Sequence, residues 1–214
     1  MLVVASALGY WGFREYGERV LHGAVEALVR DTSARLRDAL GGEAGTRAAD
    51  PAEAARRLEE QADEVEQRLA ALHRLRASPD RALVDAADLY IVTTRELLRR
   101  MASSQRYRGA FVSSTRALRS LAETADRRSG AWIGQTIVAK ERTERDYSDY
   151  RRAVDATVSL LESLAEPRDR LVRQVDPAAL VEETLRAQVA ERAREAGKRA
   201  AEELDQARRL ATRR

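Results

Sequence analysis

Apolar residues recur along this chain at spacings of three and four, the period of one face of an α-helix. The cleanest case is residues 51–77, where Ala55, Leu58, Ala62, Val65, Leu69 and Leu72 form a heptad seam with the acidic residues outside it. Upstream, Leu21, Val25, Leu28, Thr32, Leu36 and Ala39/Leu40 make a similar stripe, stopped at Gly41-Gly42. Residues 41–50 read as a linker.

Residues 80–164 contain no proline and hold most of the large side chains. Leu83, Ala87, Tyr90/Ile91, Thr94, Leu97/Leu98 and Met101 continue the helical stripe through LYIVTT, the one run with strong β propensity. The pattern blurs at Ser103-Ser104 and Gly109, which predicts a kink. It resumes with Tyr107, Ala110/Phe111, Ser114, Leu118, Leu121 and Ala125, and Arg127-Arg128-Ser129-Gly130 reads as a helix end. Trp132, Ile133, Thr136 and Ile137 open the next helix. KERTERD at 140–146 has no apolar residue and predicts a place where the helix leaves the bundle or bridges to a partner. Tyr147, Tyr150, Val154, Val158, Leu161 and Leu164 then restore the stripe.

The prolines punctuate these helices. Asp50-Pro51, Ser78-Pro79 and Asp176-Pro177 pair an N-cap residue with proline at the first helical position and place helix starts near 51, 79 and 177. Glu166-Pro167 ends one helix and starts a short turn of another. A connection of one residue makes 51–77 and the helix after it an antiparallel hairpin. The last helix carries a thin stripe of Val181, Leu185, Val189, Ala193, Ala196, Ala200, Leu204, Ala207 and Ala211, with i,i+4 pairs Glu182–Arg186, Glu195–Arg199 and Asp205–Arg209. Such a helix either projects from the bundle or packs closely on another one.

Residues 1–13, MLVVASALGYWGF, are the one continuous apolar run. As a helix they reach roughly 20 Å at about 1.5 Å per residue, against a hydrocarbon core about 30 Å thick. Three readings compete: part of a transmembrane or signal-anchor helix, an interfacial or partner-bound helix end, and a core helix. Leu2, Val3, Val4, Leu8, Tyr10, Trp11 and Phe13 are the candidate membrane or partner contacts, the aromatics resembling an interfacial belt. Arg14 and Arg19 are balanced by Glu15 and Glu18, so the flank gives no membrane side.

Composition agrees with helices. Asn is absent, Ile occurs three times, and Ala, Arg, Glu and Leu dominate. Charged residues make up 34% of the chain but the net charge is only +3, so acids and bases are interleaved. That interleaving argues against a nucleic-acid partner. Zero Cys excludes disulfides and thiolate chemistry.

Candidate chemistry is sparse. His22 and His73 lie on different helices without Glu-x-x-His pairs, so no metal is expected. Gly41-Gly42-Glu43-Ala44-Gly45 lacks the Lys-Ser/Thr of a phosphate loop, and no cofactor motif is present. Arg99, Arg100, Arg106 and Arg108, interleaved with Tyr107, are the candidate ligand or anion contact. Trp132, between Gly130 and Gly134, is a second candidate.

The sequence therefore predicts an all-α, elongated antiparallel bundle of about five helices with coiled-coil-like seams and a projecting C-terminal helix. Residues 1–13 form the apolar segment, 14–175 the bundle and 176–214 the charged, Ala-rich helix. The expected function is non-enzymatic: a membrane-tethered scaffold or accessory subunit that contacts protein partners or itself. The alternative is a sensory or regulatory bundle with a small ligand held between helices around Tyr90, Tyr107 and Trp132. Membrane association through the N-terminus is the expected location, with a cytoplasmic protein as the alternative.

Overall fold

The computed structural model describes residues 2–41, 50–75, 80–123 and 129–212, with side chains from Gly17 onward. These residues form α1 (Leu2–Gly41), α2 (Pro51–His73), α3 (Arg81–Glu123), α4 (Gly130–Ser163), α5 (Ala165–Leu171) and α6 (Glu183–Thr212), with a single 3-10 turn at Pro177–Ala179. The fold is an all-α bundle. Expected features at 42–49, at Ser78-Pro79 and at 124–128 lie outside the described residues, as do the side chains of Leu2, Val3, Val4, Leu8, Tyr10, Trp11 and Phe13.

α3 is the axis. At about 1.5 Å per residue its 43 residues extend about 65 Å. The part of α3 up to Gly109 packs antiparallel to α2: Glu66 meets Arg95 at 2.7 Å, Glu59 meets Arg106, and Pro51 lies against Gly109. Every position of the α2 seam is buried. α1 lies across this hairpin, antiparallel to α2, with Arg35 2.7 Å from Glu64 and Arg68 3.5 Å from Asp31. Among the described side chains of α1, from Gly17 onward, the first buried one is Leu21; Gly17, Arg19 and Val20 are exposed.

The LYIVTT run is helical because its apolar face is already committed. Tyr90, Ile91 and Thr94 are buried, and the Thr93 hydroxyl donates to the Leu89 carbonyl at 2.7 Å. The expected kink at 103–109 does not interrupt α3. Ser103 donates back to the Arg99 carbonyl at 3.0 Å, and Gly109 leaves room for Pro51, whose Cβ would lie 3.4 Å from an added methyl. α3 stays helical through both small residues, and α2 starts against it at Gly109.

α3 runs from Arg81, close to the expected start near 79, and the Asp80 carboxylate accepts from the Leu83 N–H at 3.1 Å. One helix start differs from the expectation. Asp176-Pro177 caps only the 3-10 turn, accepting from Ala178 N–H at 3.0 Å, and α6 starts six residues later. The Asp50 cap is as expected, at 2.9 Å to Ala52 N–H. Ser129 caps α4 through Trp132 N–H at 3.1 Å, so Ser129-Gly130 opens a helix.

The segment between α5 and α6 is irregular, and arginines satisfy its carbonyls. Arg37 donates to Ala178 O at 2.9 Å and Leu180 O at 2.5 Å, and Arg168 donates to Val181 O at 3.0 Å. Arg37 also holds Glu182 at 3.1 Å, so Glu182 is not the expected i,i+4 partner of Arg186. Arg186 instead reaches the last turn of α4, donating to Leu161 O at 2.9 Å and Glu162 O at 3.1 Å.

α6 runs back antiparallel along α4, and its far end is held by Arg208, 2.9 Å from Glu144. Of the two expectations for this helix, close packing describes it: Ala190, Gly197, Ala200, Leu204 and Ala207 are buried. The charged 140–146 segment therefore lies where α6 crosses α4. Thr143 within it is fully buried and donates to Ala139 O at 2.8 Å. Among the described residues no helix is long and apolar enough to cross a membrane.

Candidate functional site

The arginine run on α3 is largely consumed by ion pairs. Arg99 lies 3.4 Å from Glu66, Arg100 lies 2.8 Å from Glu96 one turn earlier, and Arg106 meets Glu59 of α2. These exposed pairs contribute little stability each but leave no cationic patch over Arg99, Arg100 and Arg106. Tyr107 points outward, 43% exposed. Arg108 differs: it is half-buried, turns toward α4 and α6, and has no carboxylate within ion-pair distance among the described residues.

The three aromatics expected to share a pocket do not meet. The Tyr90 hydroxyl is buried among α1 and the α5–α6 connection, 2.8 Å from Ser33 Oγ and accepting from Val181 N–H at 3.4 Å. Trp132 is half-buried near the far end of α3, its indole N–H donating to Leu121 O at 2.8 Å. From Tyr90 to Leu121 is about 46 Å of helix at about 1.5 Å per residue.

A cleft that the sequence did not single out lies instead between α3, α4 and α6. Its volume is about 530 Å³. Met101, Phe111, Tyr150 and Val154 line it with Val189, Ala193 and Ala196 of α6, and Leu40 closes it from α1. The helices do not close this gap because the α6 register is set elsewhere. Gly197 lies against α4, where an added methyl would sit 3.7 Å from a Val154 methyl. With Ala190, Gly197 and Ala200 turned inward, Val189, Ala193 and Ala196 of the expected stripe are only half-buried and face the cleft. Ala193 packs against the Phe111–Tyr150 cluster, but alanines on this face fill little of the space.

Aromatic rings form one wall. Phe111 stacks on Tyr150 with centroids 6.3 Å apart and 8° between planes, and meets Tyr147 at 5.7 Å and 57°. Burial pushes the Tyr150 hydroxyl above its ordinary value of 10.0; the charge of Arg108 pulls it partly back, and Glu203 adds to the rise. Three arginines, Arg108, Arg192 and Arg199, and two glutamates, Glu195 and Glu203, border the opening. Glu195 and Arg199 pair with each other at 3.3 Å. The residue types were legible in the sequence, but the signal that could have found the cleft was the run of alanines opposite a large-residue face.

A second concavity of about 510 Å³ lies at the far end of the α3–α4 pair, lined by Ser113, Ala117, Leu121, Gly134, Val138 and Arg142 among others. Beside it Ile133, Ile137 and Val138 are 49%, 52% and 65% exposed. The expected buried stripe at the start of α4 is therefore buried only at Thr136, with Trp132 half-buried. The reason is that Arg208, near the end of α6, is already level with Glu144.

The histidines have ordinary structural partners. His22 Nε2 meets the Gln174 carbonyl, joining α1 to the turn after α5, and His73 Nε2 lies 2.6 Å from Asp88 across the α2–α3 hairpin. Among the described residues no three His, Asp or Glu side chains gather closely enough to hold a metal ion. Compared with protein-family models, with curated proteins and with solved structures, the chain matches none.

Proposed function

We propose that this protein is a non-enzymatic helical scaffold or accessory subunit that works through protein–protein contacts, attached to a membrane through residues 1–13. The observation that carries the contact part is the uncovered end of the α3–α4 pair. Ile133, Ile137 and Val138 are large, apolar and in the open on a helix whose other half is well packed. Apolar side chains clustered beside a groove mark an interaction surface more often than isolated ones do. The small residues Ser113, Ala117 and Gly134 in that groove let a partner helix approach the backbone. The membrane part rests on the apolar sequence of residues 1–13 and on their place at the start of α1.

The test pairs two changes in the full chain. Ile137→Glu with Val138→Glu should abolish self-association in light scattering, or remove specific proteins captured by the unaltered chain. Deletion of residues 1–14 should abolish flotation with lipid vesicles. A wild-type chain that is monomeric and captures nothing the double variant loses would sink the contact reading. Equal flotation of both chains, or of neither, would sink the membrane reading.

A second reading is favoured by a specific observation, the α3–α4–α6 cleft. A regulatory bundle that holds a small ligand between helices needs such a space, and about 530 Å³ falls in the usual range for small-molecule sites.

A further inference from the structure

The contents of the cleft specify a ligand chemistry. This inference rests on the second reading above, that the space between α3, α4 and α6 holds a small molecule. About half of the lining is apolar, with Met101 and Phe111 from α3, Val154 from α4 and Val189 and Ala193 from α6. An alkyl or aryl body fits this surface, and displacing water from it is favourable. Polar groups come from all three helices, and two of them lie close to each other. Arg108 is half-buried on α3, and Tyr150 faces it from α4, close enough for the arginine charge to act on the phenol.

A guanidinium held partly out of water without a carboxylate is short of a counterion. All three of its upstream neighbours, Arg99, Arg100 and Arg106, have one. A ligand carboxylate would supply it, with the two-pronged geometry that guanidinium favours, and the Tyr150 hydroxyl would add a donor. The neighbouring charges limit the ligand to one negative charge. Arg108, Arg192 and Arg199 against Glu195 and Glu203 leave one net positive charge around the cleft; Arg199 is engaged by Glu195, and the carboxylate of Glu203 also acts on Tyr150. A doubly charged phosphate would meet that glutamate.

We propose that the α3–α4–α6 cleft binds an amphipathic monocarboxylate, with its apolar body on Met101, Phe111 and Val154 and its carboxylate on Arg108. The apolar floor gives affinity and Arg108 gives selectivity for the ionised acid over a neutral compound of the same length.

Calorimetric titration of the full chain with octanoate and with 1-octanol tests this. Octanoate should bind about tenfold or more tightly than 1-octanol, the ratio expected of one charge-assisted hydrogen-bond pair. Arg108→Gln should bring octanoate down to the octanol level and leave octanol unchanged. Ala196→Phe should fill the cleft and remove binding of both, with an unchanged thermal midpoint as evidence that the fold persists. Equal binding of the two probes, unaffected by Arg108→Gln, would overturn the carboxylate assignment and leave the ligand-binding reading standing. No binding of either probe, or binding that survives Ala196→Phe, would overturn both.

Discussion

Tyr90 is the residue on which the two halves of the sequence meet. It is fully buried on α3, yet its hydroxyl touches Ser33 of α1 and the backbone of Val181 before α6. Tyr90→Phe keeps the ring and leaves both partners short of a bond in a dry site, which should cost about 1–3 kcal/mol in urea unfolding. The phenol also gives stability a pH dependence. Burial raises its folded value above the ordinary 10.0, while the hydrogen bonds to Ser33 and Val181 and the charges of Arg37 and Arg168 oppose the rise. A raised folded value means the stabilisation is complete below the unfolded value of about 10 and is lost as pH climbs through the folded value. Urea midpoints measured from pH 8 to pH 11 should therefore fall above about pH 10, and fall less steeply in Tyr90→Phe. Tyr150 is raised for the same main reason and adds to the alkaline loss.

α6 shows how a helix with little to bury still finds one register. Its inward positions are Ala190, Gly197, Ala200, Leu204 and Ala207, and only Leu204 is large. Small side chains bury little area, so the helix gains mainly from close approach to α4 and from ion pairs at its ends. Arg194 pairs with Glu162 and Arg208 with Glu144, which pins both ends of the overlap. Gly197 is not required by backbone geometry. An added methyl would make ordinary contact with Val154, so Gly197→Ala should stabilise the protein by about 0.5–1 kcal/mol through helix propensity. A larger residue there should push α6 off α4 and reverse the sign. Thermal midpoints of Gly197→Ala and Gly197→Leu measure both.

At the scale of the molecule, α3 joins two packing environments. Its first half carries the larger core, shared with α1 and α2, and Phe111 in its second half belongs to a smaller cluster with Tyr150, Val154, Ala200 and Leu204. The larger core should tolerate less loss per residue. Leu98→Ala, at a fully buried site, should cost about 2–5 kcal/mol. Removing α6 after Glu182 should uncover Phe111, Tyr150 and Val154 and yield a chain that melts earlier and less cooperatively by circular dichroism. Unchanged melting of that chain would mean that the α3–α4 pair is stable without its third helix.

The local pattern by itself determined the helical class, the α2 seam and the α2–α3 hairpin. Helical periodicity and N-caps are written within a few residues of where they act, as in Ala55 to Leu72 and at Asp50. It also placed Glu195 beside Arg199, because a single turn decides that contact. The tertiary structure decided what depends on competition between distant partners. Arg37 drew Glu182 away from Arg186. In the first half of α6 the inward face turned by one residue, to Ala190 and Gly197, while Ala200, Leu204 and Ala207 of the expected stripe are buried. That turn opened the cleft across from Phe111 and left Arg108 facing into it. The arginines of α3 look alike in sequence. Only the positions of α2 and α6 separated Arg106, which meets Glu59, from Arg108, which meets an open space, because a charge is neutralised by what folds against it and not by its neighbours along the chain.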